Sequence, residues 1–140
     1  LAARPYLQPV YDEPDYVIRN VWRLYGGWYD GVPAHLQPAP EAEIGREVAR
    51  LAGGTDALVR RARALAAEGR LELASHLVEW AAAAAPDHRE AHAARAEIYE
   101  RRADEARALM TRGIFSAAAR EAAARAAALP AGGPPPAAAG

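Results

Sequence analysis

Apolar residues recur every three or four positions in this chain, and this spacing constrains the fold most. Val17, Val21 and Leu24 show the pattern in its first long segment. Such a repeat places the apolar side chains on one face of an α-helix. No segment shows sustained alternation of β-branched and polar residues, which would be typical of strands. The sequence therefore predicts an all-α fold, a helical bundle of about five to six helices.

Glycine and proline residues divide the predicted helices from one another. We expect helices from about Pro14 to Tyr25, from about Glu41 to the glycines at 53–54, from a Thr55 cap to Gly69, from about Leu71 to a stop before Pro86, from about His88 to Arg112, and from about Phe115 to Leu129. Gly113 is expected to end or kink the fifth of these helices. The segment Leu1–Tyr11 holds two prolines and is predicted to be extended.

One pair of predicted helices has the residue spacing of a tetratricopeptide unit. The pattern consists of Leu58, Ala62, Leu65, Gly69, Leu71, Ala74, Val78, Ala81 and Pro86. Small side chains allow two antiparallel helices to approach closely, and the glycine makes the turn between them. Only one such unit is visible, whereas stable arrays need about three repeats. We therefore expect an antiparallel hairpin within another fold.

The composition excludes several classes of function. The formal net charge is -1 and every basic residue is an arginine, so we expect no nucleic-acid partner, because nucleic-acid-binding domains usually carry a basic surface. The chain has no cysteine, which excludes disulfides and thiolate metal sites. It has no apolar run of about 18 residues, so we expect no membrane span.

The sequence contains almost no candidate catalytic residues. His88 and His92 are four residues apart, a spacing that can bind zinc, but a zincin needs a glutamate directly after the first histidine. We interpret them as a solvent-exposed pair, and expect His76 to be partly buried and His35 to lie in a turn. Neither serine stands in a nucleophile elbow, and no phosphate-binding loop is present. No catalytic, metal or cofactor residue is assigned.

Aromatic residues are concentrated at the first predicted helix and the turn after it, at Tyr16, Trp22, Tyr25, Trp28 and Tyr29. Three interpretations stay open. The rings could form a local core that anchors the helix, a protein–protein interface, since Trp and Tyr are typical interface anchors, or a platform that stacks on a sugar or other ligand. On the second interpretation, the candidate interface residues are Val21, Trp22, Tyr25, Trp28 and Tyr29.

The motifs Tyr6-Leu7-Gln8-Pro9 and Arg19-Asn20-Val21-Trp22-Arg23-Leu24-Tyr25-Gly26-Gly27-Trp28-Tyr29-Asp30-Gly31-Val32-Pro33-Ala34-His35-Leu36 resemble the alkyl sulfatase dimerisation domain. The resemblance extends from about Leu1 to Arg125 and is most specific between Arg19 and Pro33. It implies structural roles for Arg19, Asn20, Gly27, Asp30 and Gly31. The stretch Arg112–Arg120 departs from the segment that many family members have near the end of this domain, which leaves the substrate of the parent open.

The resemblance implies a non-catalytic homodimerisation module of a larger alkyl sulfatase-like hydrolase. Its catalytic domain, with a metallo-β-lactamase fold and two zinc ions, would lie upstream in the same chain. The source would be bacterial and the compartment cytoplasmic or periplasmic. We expect residues 1–129 to form the helical domain and residues 130–140 to be a linker or tail. The alternative function is a tetratricopeptide-like adaptor that binds a protein or peptide.

Overall fold

A computed structural model describes residues 9–130. Most of the predicted lead Leu1–Tyr11 and nearly all of the predicted tail at 130–140 lie outside these residues. The helices are α1 (Pro14–Gly26), α2 (Glu41–Ala52), α3 (Thr55–Ala67), α4 (Leu71–Ala84), α5 (Arg89–Glu105) and α6 (Leu109–Ala128), with a short 3-10 helix at Pro33–His35. The described residues form no strand, and the all-α prediction is confirmed.

Helices α2 to α6 form one bundle with an alanine-rich core. Each helix packs on its neighbours in the chain, and α2 also packs on α4 and α3 on α5. The core consists of Ala49, Leu58, Val59, Ala62, Leu65, Ala66, Leu71, Ala74, Val78, Ala81, Ala91, Ala94 and Ile98. Because so many of these side chains are small, the helix axes can approach closely. Helices α3 and α4 pack on each other across a short connection, while the antiparallel, tetratricopeptide-like hairpin stays a prediction.

The closest approach of α2 to α4 depends on Gly45. A Cβ atom built at this position would lie 2.5 Å from the carbonyl oxygen of Trp80 and 3.0 Å from the amide nitrogen of Ala84. Both are backbone atoms, so they cannot rotate away as a flexible side chain would. The glycine is required here by contact between two helices, not by an unusual backbone conformation.

The predicted fifth helix, His88–Arg112, is wrong at its carboxyl end. The chain leaves helical geometry at Ala106 (ψ 128°) and Ala108 (ψ 135°), and α6 begins at Leu109. Gly113 lies inside α6 and does not end a helix. The sixth helix was predicted to start at about Phe115, but α6 begins six residues earlier. The guanidinium of Arg112 donates hydrogen bonds of 2.8 and 3.3 Å to the Ala106 carbonyl. The Ala106 carbonyl therefore keeps a hydrogen-bond partner although α5 ends before it.

Thr55 was predicted to cap α3, and this prediction is also wrong. The N-cap is Gly54, with φ 113°, and Thr55 is the first residue of the helix. Gly54 carries no side chain that could accept a hydrogen bond from the first amides. The helix instead begins directly after the left-handed cap of α2 at Gly53, whose φ is 90°. The two glycines join α2 to α3 without a longer loop.

Candidate functional site

Helix α1 stands apart from the bundle. Among the residues that the structure describes, α1 packs along no other helix and contains no buried residue; its one contact with another helix is a side-chain contact between Tyr16 and Thr111 of α6. The predicted interface side chains are exposed: Val21 by 51%, Trp22 by 65%, Tyr25 by 84%, Trp28 by 67% and Tyr29 by 37%. Within residues 9–130 these rings therefore form no core, so the local-core interpretation does not describe them there.

Trp22 lies between two shallow apolar grooves on α1. One groove is lined by Val17, Ile18, Val21, Trp22, Tyr25 and Gly26. The other is lined by Ile18, Arg19, Trp22, Arg23, Gly27, Trp28, Tyr29 and Asp30. The indole packs over Gly26, where an added Cβ atom would lie 3.2 Å from the ring. The surface is mostly apolar, with two arginines on one side.

The turn after α1 is fixed by Asp30. One carboxylate oxygen, Oδ1, accepts a 3.0 Å hydrogen bond from the Val32 amide, and the other, Oδ2, lies 2.6 Å from Nδ1 of His35. The amide hydrogen bond, and then the contact with His35, lower the pKa of the exposed Asp30 carboxyl. Gly27 (φ 81°) and Gly31 (φ 89°) adopt left-handed conformations on either side.

The predicted interface and motif residues in and near this turn differ in the contacts that they make. Trp28 and Tyr29 meet edge to face, with ring centroids 6.1 Å apart. Gly27, Asp30 and Gly31 have the conformations and hydrogen bonds given above, and their role as motif residues stays a prediction. Arg19 and Asn20 are exposed on α1, and within residues 9–130 their side chains do not support the fold. The sequence had placed His35 in a turn but had not identified it as the partner of the Asp30 carboxylate.

A short clamp joins the start of α1 to the start of α6. The Leu109 amide donates to the Val10 carbonyl over 2.8 Å, and the Met110 amide donates to the Tyr11 carbonyl over 2.9 Å. These are amides of the first turn of α6, which have no partner within that helix. The Tyr16 hydroxyl also lies 3.1 Å from the hydroxyl of the buried Thr111. Sequence periodicity could not reveal this contact, because its partners are far apart in the chain.

The clamp also assembles a second exposed apolar patch, which we call the base patch. It consists of Val10, Tyr11, Leu109, Met110 and Ile114. The two hydrogen bonds bring the first pair beside the second, and Ile114 lies one helical turn beyond Met110. The base patch therefore lies at the amino-terminal end of α1, whereas Tyr25 and Trp28 lie at or beyond its other end.

The histidines have ordinary structural contacts. His88 and His92 are both partly buried, so their interpretation as a solvent-exposed pair is wrong. Nδ1 of His88 accepts from the Ala91 amide over 3.2 Å, and its Nε2 lies 3.0 Å from Oδ1 of Asp56. Nε2 of His92 donates to the Pro86 carbonyl over 2.9 Å. The two rings are held in different directions by their separate partners.

His76 was expected to be partly buried, but the structure leaves it exposed beside Trp80, with 6.1 Å between the ring centroids. Within residues 9–130, no group of three or more His, Cys, Asp or Glu side chains is arranged to hold a metal ion. The residues described here therefore do not fit a zinc site. No helix in that same range is long and apolar enough to cross a membrane.

Ionised side chains outside α1 join the bundle helices. Arg63 on α3 donates two hydrogen bonds of 2.9 Å to Glu97 and one of 3.2 Å to Glu90, both on α5. The bond to Glu97 raises the pKa of the Arg63 guanidinium. Burial, and then a hydrogen bond to Glu79, raise the pKa of the Tyr99 phenol to about 12. Both effects are explained by packing within the bundle.

The fold and this surface define a class of protein: a helical module with one aromatic helix that the rest of residues 9–130 leaves uncovered. The chain belongs to the alkyl sulfatase dimerisation family, whose model matches residues 1–125. It is 34% identical over 99 residues to an (R)-specific secondary-alkylsulfatase of Pseudomonas sp., covering 68% of this chain and 14% of that protein.

Other relatives and two solved structures agree with the family. An alkyl/aryl-sulfatase of Saccharomyces cerevisiae is 28% identical over 102 residues, covering 73% of this chain and 16% of that protein. A double mutant of the sec-alkyl sulfatase PisA1 superimposes with a TM-score of 0.77 at 30% identity, covering 84% of this chain and 18% of the other. The stereoselective inverting sec-alkylsulfatase Pisa1 from Pseudomonas sp. gives a TM-score of 0.70 at 28% identity, covering 81% and 18%. The chain thus spans less than a fifth of each of these proteins.

Proposed function

We propose that this chain is the homodimerisation module of a larger zinc-dependent alkyl sulfatase-like hydrolase. The observation that carries the proposal is helix α1, whose apolar face has no contact with the other described helices of its own chain. Exposed apolar surface of this kind marks a protein–protein contact more often than a free surface. Membership of the dimerisation family indicates that the contact is with a second copy.

The candidate interface consists of Val21, Trp22, Tyr25, Trp28 and Tyr29. Large rings anchor interfaces because each buries much apolar area for little loss of conformational freedom. Here the rings are presented on one helix and on the turn that Asp30 fixes, so little of their arrangement would have to change on binding. Arg19, Asn20, Gly27, Asp30 and Gly31 are proposed to shape and frame this surface.

The catalytic part of the proposal concerns the rest of the parent protein. The named relatives are alkylsulfatases, and this chain spans only 14% and 16% of the two compared above. We assign hydrolysis of sulfate esters to an upstream domain of the parent with a metallo-β-lactamase fold and two zinc ions, and this domain would be a partner of the module within the same chain. Since no residue described here fits a zinc site, no catalytic step is assigned to this module.

Light scattering on the 140-residue chain tests the proposal. At high micromolar concentration we expect twice the chain mass of 14.9 kDa, and a strict monomer would contradict the homodimer. A sulfatase assay with and without added zinc should show no turnover by this chain. Zinc-dependent hydrolysis of an alkyl sulfate would instead place catalytic residues within it.

The tetratricopeptide-like adaptor stays a prediction without a specific observation in its favour. Such an adaptor would need an open groove along the helices from Leu58 to Arg112. Between α3 and α5, part of this surface is spanned by the ion pairs of Arg63 with Glu90 and Glu97. Those pairs would have to separate before a peptide could lie there.

A further inference from the structure

Two apolar surfaces lie at opposite ends of helix α1. The base patch is at the amino-terminal end, and the aromatic residues of the tip, Tyr25 and Trp28, are at and beyond the carboxyl-terminal end. Thirteen residues separate the two ends of the helix, a distance of about 20 Å at 1.5 Å per residue. One chain therefore cannot cover its own base patch with its own tip.

Two copies can cover both surfaces at once. In a two-fold dimer, the same surface of each copy forms the interface. If one residue of the first copy contacts a second residue of the other copy, the equivalent contact with the roles exchanged is made as well. If the two α1 helices lie side by side in opposite directions, the tip of each one reaches the base of the other. We infer that the module dimerises through antiparallel pairing of α1, in which the tip of one copy covers the base patch of the second copy.

The charges along α1 fit this antiparallel arrangement. The start of the helix is acidic, with Asp12, Glu13 and Asp15, whereas its later turns carry Arg19 and Arg23. The two arginines have no ion-pair partner among residues 9–130. Antiparallel pairing brings Arg23 of each copy towards Asp15 of the other. The two helix dipoles then point in opposite directions, which is favourable. Parallel pairing would place like charges side by side, which is unfavourable.

The clamp supports the same geometry. The hydrogen bonds from α6 to the carbonyls of Val10 and Tyr11 fix the start of α1 relative to the bundle. The Tyr16–Thr111 contact adds a third attachment on the first turn. The direction of α1 is therefore set before a second copy arrives, which lowers the conformational cost of association. The base patch is formed largely by the clamp residues. The clamp therefore fixes both the base patch and the direction of α1.

The absence of cysteine from the chain makes site-specific cross-linking a direct test. The variant Y25C/L109C carries one thiol at the tip and one in the base patch, at positions that are 84% and 59% exposed. A short bis-maleimide should join two copies of this variant. Neither Y25C nor L109C alone should be joined, because each thiol would lie far from its own equivalent. The matched control Y25C/L51C carries its second thiol on α2, at a position that is 81% exposed.

We expect covalent dimer to form more than about tenfold faster in Y25C/L109C than in the control, because proximity raises the effective thiol concentration into the millimolar range. Light scattering on the unsubstituted chain is measured beside the cross-linking of the variants. The inference rests on the proposed homodimer, so a monomer in light scattering would overturn both. A dimer in which Y25C alone cross-links, or in which the control pair reacts as fast, would overturn the antiparallel pairing and leave the homodimer standing.

Discussion

Replacement of Trp22 by alanine separates association from folding. In the single chain this indole is 65% exposed and lies between the two grooves of α1. A tryptophan side chain presents up to about 250 Å², so about 150 Å² remains for a partner to cover. If a second copy covers half of that area, each ring contributes about 2 kcal/mol at 25 cal/mol per Å².

Both copies lose the ring in a W22A homodimer, so the association free energy should weaken by about 4 kcal/mol, close to a thousandfold increase in Kd. The free energy of unfolding of the dissociated chain should change by less than about 0.5 kcal/mol, as for other exposed substitutions. Sedimentation equilibrium gives the first quantity, and urea denaturation well below the Kd gives the second. L51A, also at an exposed apolar side chain, is the matched control and should change neither.

Two results would refute this reasoning. An unchanged Kd in W22A would mean that the ring takes no part in association. A loss of several kcal/mol in the unfolding free energy of the monomer would mean that Trp22 belongs to a core of its own chain. The exposure of Trp22 in the structure predicts an effect on association alone.

Three further predictions concern the fold and the turn. G45A should lower the unfolding free energy in urea, because the added Cβ atom would meet the Trp80 carbonyl at 2.5 Å and overpacking costs about 1–3 kcal/mol; unchanged stability would show that α2 shifts freely. The lowered pKa of Asp30 means that its contact with His35 holds above pH 3.8 and is lost as the pH falls through the lower folded value, so below pH 3.8 the His35 ring resonances should move in the wild type but stay constant in D30N. Tyr99, with its pKa raised to about 12 from 10.0, should stabilise the fold fully below pH 10 and lose this contribution as the pH approaches 12, whereas Y99F should show no such loss in thermal unfolding followed by circular dichroism.

The sequence predicted the helices that glycine and proline delimit. Pro14 and Gly27 bound α1, and Gly53 and Gly69 follow α2 and α3 closely. These residues act through their own backbone preferences, which do not depend on distant parts of the chain. Helix existence and type could therefore be predicted from local chemistry alone.

The break between α5 and α6 could not be predicted in this way. The residues at 106–108 are Ala-Arg-Ala, and alanine is the strongest helix former. The helix stops there because distant groups provide other partners for the backbone: the Val10 and Tyr11 carbonyls accept from the first amides of α6. The tertiary contact outweighs the local preference, and the local sequence carries no sign of it.

The residues of the candidate site were predicted from the sequence, but their position relative to the rest of the fold was not. The aromatic residues of α1 and its turn were identified from their concentration in one segment, which does not distinguish a local core from an interface. Only the fold shows that, within residues 9–130, no other helix packs along α1. The base patch was missed because its members, such as Tyr11 and Met110, come from separated segments that the clamp brings together.

Hydrogen exchange at several concentrations tests the central claim most directly. The account predicts that amides of α1, Pro14–Gly26, exchange rapidly in dilute solution and become protected as the chain associates, while the core helices α3 to α5 change little. Protection that rises instead on the α3–α5 face, with α1 unchanged at every concentration, would contradict the assignment of α1 as the dimer contact.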